Sequence, residues 1–86
     1  MDDYNEIFWD NVIRWQKYRG YTNKEMSEKL GITLPSYNNV RVTRPGVSIK
    51  KLNRYTYALN CEPADLFDEW TDEEWEKFVK RGKEAE

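Results

Sequence analysis

The sequence predicts an all-α domain of five or six helices, and three observations carry that reading. Apolar residues recur at three- and four-residue steps along most of the chain. No stretch alternates in the manner of a strand. Thr, Ser, Gly and Pro stand where periodic runs begin and end. Eighty-six residues make one domain with a modest core, to which four Trp, six Tyr and three Phe bring large buried areas.

The first helix is expected from about Tyr4 to Arg19, with Phe8, Val12, Trp15 and Tyr18 inward and Gly20 as a left-handed stop. Thr22 reads as the N-cap of the second helix, with Glu25 completing a capping box. Met26 and Leu30 point inward there, small Ser27 admits a close neighbour, and Gly31 ends the run. Thr33 caps a third helix over about residues 34–41. Pro35 fits its first turn because the missing N–H is not needed, and Tyr37 and Val40 face the core.

"RVTRPGV" supplies a Pro-Gly turn, and Ser48 caps a fourth helix whose buried stripe is expected to be Ile49, Leu52, Tyr55 and Leu59. "NCEPADLF" gives a short fifth helix opening at Pro63, with Leu66 and Phe67 closing the core. A last helix over about 71–83 opens with Thr71 and Glu74 as a second capping box, and its first-turn acids suit the helix dipole. Met26, Leu30, Ile32, Tyr37, Leu52 and Leu59 are expected to share one core.

The net charge of -2 conceals a polarity. Residues 1–13 carry four acids, Asp2, Asp3, Glu6 and Asp10, and no base. Residues 14–54 carry ten Lys or Arg against Glu25 and Glu28, a net of +8, and residues 55–86 carry ten acids against four bases. The basic block coincides with the second and third helices. An acidic total counts against a polyanion partner unless the fold segregates the charges.

Enzyme chemistry is not expected. Histidine is absent, no glycine-rich phosphate loop is present, and the single Cys61 has no candidate base beside it. Neither a catalytic residue, nor a metal site, nor a cofactor, nor a small-molecule ligand is assigned. One cysteine, no membrane-length apolar run and the acidic start "MDDYNE" lead to the expectation of a cytoplasmic protein with no membrane association.

Two helices joined by three or four residues meet steeply and leave the second projecting. The major groove of DNA admits one α-helix braced in this way. Ser36, Asn38 and Asn39 bring short polar tips able to bond base edges, and Arg41 and Arg44 follow at the helix end for phosphates.

"TNKEMSEKLGITLPSYNNV", continuing to "SIKKLNRYTYALNCEPADLF", resembles the lambda-repressor-like, Cro-type (XRE) helix–turn–helix of bacterial and phage regulators over roughly residues 8–67. The resemblance implies that Thr22, Asn23 and Lys24 meet the DNA backbone. It also implies that Leu34, Pro35, Ser36, Asn38 and Asn39 face the groove. Leu34 and Pro35 stand where the family often has long polar residues; they can touch a thymine methyl but read no hydrogen-bond pattern. The function so implied is a sequence-specific transcriptional regulator, a repressor of phage or mobile-element type. The alternative is a protein-interaction module on the same fold, an antirepressor or an inhibitor of another regulator.

Regulators of this kind act as homodimers on two-fold operators. Trp70, Trp75, Phe78 and Val79 of the last helix offer a dimer or partner surface. The competing expectation is that this helix folds back over Trp9 or Phe8.

Overall fold

The computed structural model describes residues 4–85, with side chains as far as Lys80; Asp2 and Asp3 lie outside the described residues. Six helices follow in order: α1 (Tyr4–Arg19), α2 (Asn23–Leu30), α3 (Leu34–Thr43), α4 (Ile49–Leu59), α5 (Pro63–Phe67) and α6 (Asp72–Ala85). No strand occurs among the described residues.

Local chemistry sets the boundaries. The Thr22 hydroxyl accepts from Glu25 N while the Glu25 carboxylate accepts from Thr22 N, each at 3.1 Å, which closes the capping box. Thr33 and Ser48 accept from Ser36 N and Lys51 N, and Thr71 accepts from Glu74 N. Each bond satisfies a donor that the first helical turn leaves open. Gly20 and Gly31 stop α1 and α2 at φ 74° and 72°, a left-handed conformation that costs glycine little.

α1 is the central element, packed on α4 and α5, while α2 packs on α3 and α4. Phe8, Trp9, Val12, Met26, Tyr37, Leu59 and Leu66 are almost wholly buried, with Trp15, Leu30, Tyr55 and Ala58 beside them. Ile32, Val40 and Leu52 pack against this cluster from its edge. The Trp9 ring meets Phe8 and Tyr55 edge-on, and its indole N–H donates to Pro45 O at 3.1 Å. Asn11, buried on α1, donates to Leu66 O and Asp68 O and so fixes the end of α5. Arg19 donates to Leu59 O and Asn60 O, placing a cation at the C-terminal end of α4.

Two expectations need correction. Ile49 is not part of the buried stripe of α4; it is 80% exposed. Successive three-residue steps each fall about 60° short of a full turn, so Ile49 lies about 120° around the helix from Tyr55. Ala58, about 180° around α4 from Ile49, is buried instead, and Val47 of the preceding loop packs against the core.

The second correction concerns α6, which covers Trp15 and Tyr18 rather than Trp9 or Phe8. The rings of Trp75 and Phe78 lie 5.4–5.9 Å from those of Trp15 and Tyr18, and Trp70 joins the cluster through Trp75 and Phe78. Arg14 reinforces the contact, donating to Trp70 O at 3.0 Å with Asp72 3.7 Å away.

Candidate nucleic-acid interface

The site begins with the way α2 and α3 are held. Gln16 is buried on α1, and its amide donates to Tyr21 O at 3.0 Å and to Asn23 Oδ1 at 2.9 Å. The Gln16 side-chain oxygen accepts from the Tyr37 hydroxyl. Arg41 closes the circuit: Nη1 donates to Asn23 Oδ1 at 2.9 Å, and the guanidinium lies over the Tyr37 ring, 5.8 Å from its centroid. Four side chains from α1, α2 and α3 thus fix the angle of the helix pair. Burial pushes the Tyr37 hydroxyl up from 10.0 to about 12, against the opposing influence of Arg41, so it remains a donor at neutral pH.

At the start of α2, Thr22 is occupied as a cap acceptor but keeps its own O–H as a donor. Asn23 has its oxygen committed to Gln16 and Arg41, which leaves its NH₂. Lys24 is exposed and makes no ion pair among the described residues. These three groups surround backbone N–H groups at a helix N-terminus, a geometry suited to phosphate.

On α3, Leu34, Pro35, Ser36, Asn38 and Asn39 are all exposed. Asn38 and Asn39 have no side-chain bond to the described protein. Ser36 differs, since its hydroxyl accepts from that of Thr33 at 2.8 Å. It also lines, with Trp9, Leu30, Ile32, Val40, Lys51 and Arg54, a cleft of about 170 Å³ between α3 and α4. The helix continues beyond the expected residue 41, to Thr43, which brings Val42 onto its outward ridge at 82% exposure.

The two arginines behave unlike the sequence expectation. Arg41 is turned inward, and its Nε is buried without a hydrogen-bond partner. Arg44 is the left-handed C-cap of α3, at φ 50°, and its guanidinium is bound to Glu6 and, at 3.0 Å, to Asp10 of α1. Asn5 donates to Arg44 O, securing the same junction. Both cations are thus engaged within the protein.

Other cations stand free. Lys50, Lys51 and Arg54 on α4 are exposed and make no ion pair among the described residues. Sequence reading assigned them no role, although Ser48 places them in the first two turns of a capped helix within the basic block. The eight acids from Glu62 to Glu76 sit on or beside α5 and α6, whereas α3 and α4 carry Lys and Arg and no acid.

A family model described as the Cro/C1-type HTH DNA-binding domain matches residues 17–72. The chain belongs to this family. Neither the curated proteins nor the solved structures gave a match. The Cro/C1-type match runs from the end of α1 to the first residue of α6 and contains the whole bihelical unit. Membership makes the protein a DNA-binding regulator in general terms, in a family of DNA binders rather than enzymes. No described helix is long and apolar enough to cross a membrane.

Trp70, Trp75, Phe78 and Val79 form no part of this face. Their rings and methyls are half-buried, and Trp75 and Phe78 are committed to α1.

Proposed function

We propose that the protein is a sequence-specific transcriptional regulator of bacterial or phage type that sets α3 in the major groove of double-stranded DNA. The observation that carries this reading is the exposed, unbonded pair Asn38 and Asn39 on a helix whose other side is locked by Tyr37 and Arg41. Leu34, Pro35 and Ser36 accompany them. Thr22, Asn23 and Lys24 contact the backbone on one side, and Lys50, Lys51 and Arg54 on the other. Arg41 positions α3 rather than touching phosphate, and Arg44 serves as a clasp to α1.

The protein acts in the cytoplasm as a homodimer on a two-fold operator, with half-sites one helical turn apart, about 34 Å. With Trp75 and Phe78 committed to α1, the apolar rim open to a second copy is Trp70, just before α6, and Val79 on it. Comparing the mass in solution of the intact protein with that of Val79→Asp tests this: a shift from dimer to monomer supports it, and an unchanged mass removes α6 from the interface.

The apolar ridge of Leu34, Pro35 and Val42 favours the second reading, a protein-interaction module in which a regulator replaces DNA. Fluorescence anisotropy on selected and random duplexes at several salt concentrations separates the two. Neutralising about four phosphates gives a slope near -3.6 in log K against log salt, and Lys51→Ala lowers its magnitude by about one unit. Equal affinity for selected and random duplex at every salt leaves only the protein partner.

A further inference from the structure

The outward ridge of α3 carries a combination of side chains that suits one class of base pair. We propose that α3 reads A·T pairs, with Asn38 and Asn39 bonding adenine edges while Pro35 and Val42 pack on thymine methyl groups. This rests on the DNA-binding reading above and specifies which bases that face selects.

In the major groove, guanine is read chiefly by Arg or Lys and cytosine by Asp or Glu. Adenine is read by Asn or Gln, and the thymine methyl by apolar side chains. The exposed positions of α3 are Leu34, Pro35, Ser36, Asn38, Asn39, Val42 and Thr43, and none of them ionises. Arg41, the one cation within the helix, is withdrawn: Nη1 bonds Asn23, the plane covers Tyr37, and Nε is buried. Arg44 at the C-cap is held by Glu6 and Asp10. The helix therefore presents no Arg or Lys for guanine and no Asp or Glu for cytosine, while the Ser36 and Thr43 hydroxyls do not discriminate between bases.

What it presents instead is ordered. Pro35, Asn39 and Val42 follow at steps of four and three residues, so they share one ridge, with Asn38 beside it. A single exposed valine needs no explanation. Here, however, Val42 stands two turns from Pro35 on the ridge that carries Asn39 and runs beside Asn38. Seven residues rise about 10.5 Å, roughly the length of three base steps. Apolar groups at both ends and amides between them match a short run of A·T pairs, which shows methyls and adenine edges along the groove.

The test selects duplexes from a random library with the full chain, then replaces thymine by uracil in the selected site, which removes only the methyl. The expected half-site contains about three successive A·T pairs. Each critical methyl lost should weaken binding about fourfold, the worth of one buried methylene-sized group. Val42→Ala, at an exposed position, should fold normally and abolish the uracil penalty at one base pair while leaving the salt slope unchanged. A selected core of G·C pairs, or tight selective binding indifferent to uracil, overturns the A·T assignment and leaves DNA binding standing. Failure to bind any duplex overturns both.

Discussion

Two regions of α1 hold their neighbours by different chemistry. The side bearing Gln16 meets α2 and α3 through directional bonds among Gln16, Tyr37, Asn23 and Arg41. The side bearing Trp15 and Tyr18 meets α6 through a cluster of aromatic edges and faces. Ring packing tolerates small displacements, whereas hydrogen bonds weaken quickly when donors and acceptors shift. The difference suits the tasks proposed for them: on the DNA-binding reading α3 presents side chains to base edges within fractions of an ångström, while α6 covers the core and offers only its rim to a second copy.

The sharpest way to break this contrast is Trp75→Ala. Loss of the ring from the α1–α6 cluster should cost about 3 kcal/mol, at the low end for large aromatic truncations because Trp75 is half-buried. Melting would show it. DNA affinity, measured below the melting transition, should remain within about twofold, since none of the residues assigned to DNA touches Trp75 and the Val79 rim is left in place. A parallel loss of affinity would make α6 part of the site.

Tyr37→Phe is the converse. It leaves the Gln16 oxygen buried without its donor, at about 1–3 kcal/mol. Here affinity for the selected duplex should fall more than stability alone explains, because the angle of α3 loosens. Nonspecific binding at low salt should change little.

Titration gives a third handle. The Tyr37 hydroxyl is raised from 10.0 to about 12, and burial raises Tyr55 in the same direction. The unfolded chain ionises first, so the stabilisation is fully present below pH 10 and is lost as pH climbs through about 12. Urea unfolding at pH 9, 10 and 11 should show that decline, and Tyr37→Phe should make it shallower.

How much of this was legible follows from what each signal depends on. The caps at Thr22, Thr33, Ser48 and Thr71 are local, and each stands where the sequence puts it. Core positions fixed by several steps of periodicity, such as Phe8, Val12, Met26 and Leu59, were legible as well. Ile49 was not, because one apolar residue at the edge of a stripe is ambiguous until its neighbours are packed. The polar circuit was invisible for another reason. Gln16 and Tyr37 are 21 residues apart, and nothing in their identity announces that they meet. Arg41 and Arg44 looked like free cations because a sequence records charge and not the carboxylate or ring that claims it. Val42 was missed with the last turn of α3, which ends at the left-handed cap Arg44, a residue whose type does not announce that conformation.

The smallest expected effect concerns that clasp. Arg44→Ala removes contacts to two half-exposed carboxylates and should cost no more than about 1 kcal/mol. Its salt slope on DNA should match that of the unaltered protein, whereas Lys51→Ala lowers the slope. A lowered slope for Arg44→Ala would return Arg44 to the phosphate contacts.

The most direct measurement is a titration of the isotope-labelled protein with the selected duplex, followed by backbone amide resonances. The account predicts large shifts over Thr22–Lys24, Leu34–Val42 and Ser48–Arg54, with the amides of Glu73–Lys80 on α6 unmoved at a protein-to-half-site ratio of one. Shifts concentrated on α6, with α3 silent, would contradict it.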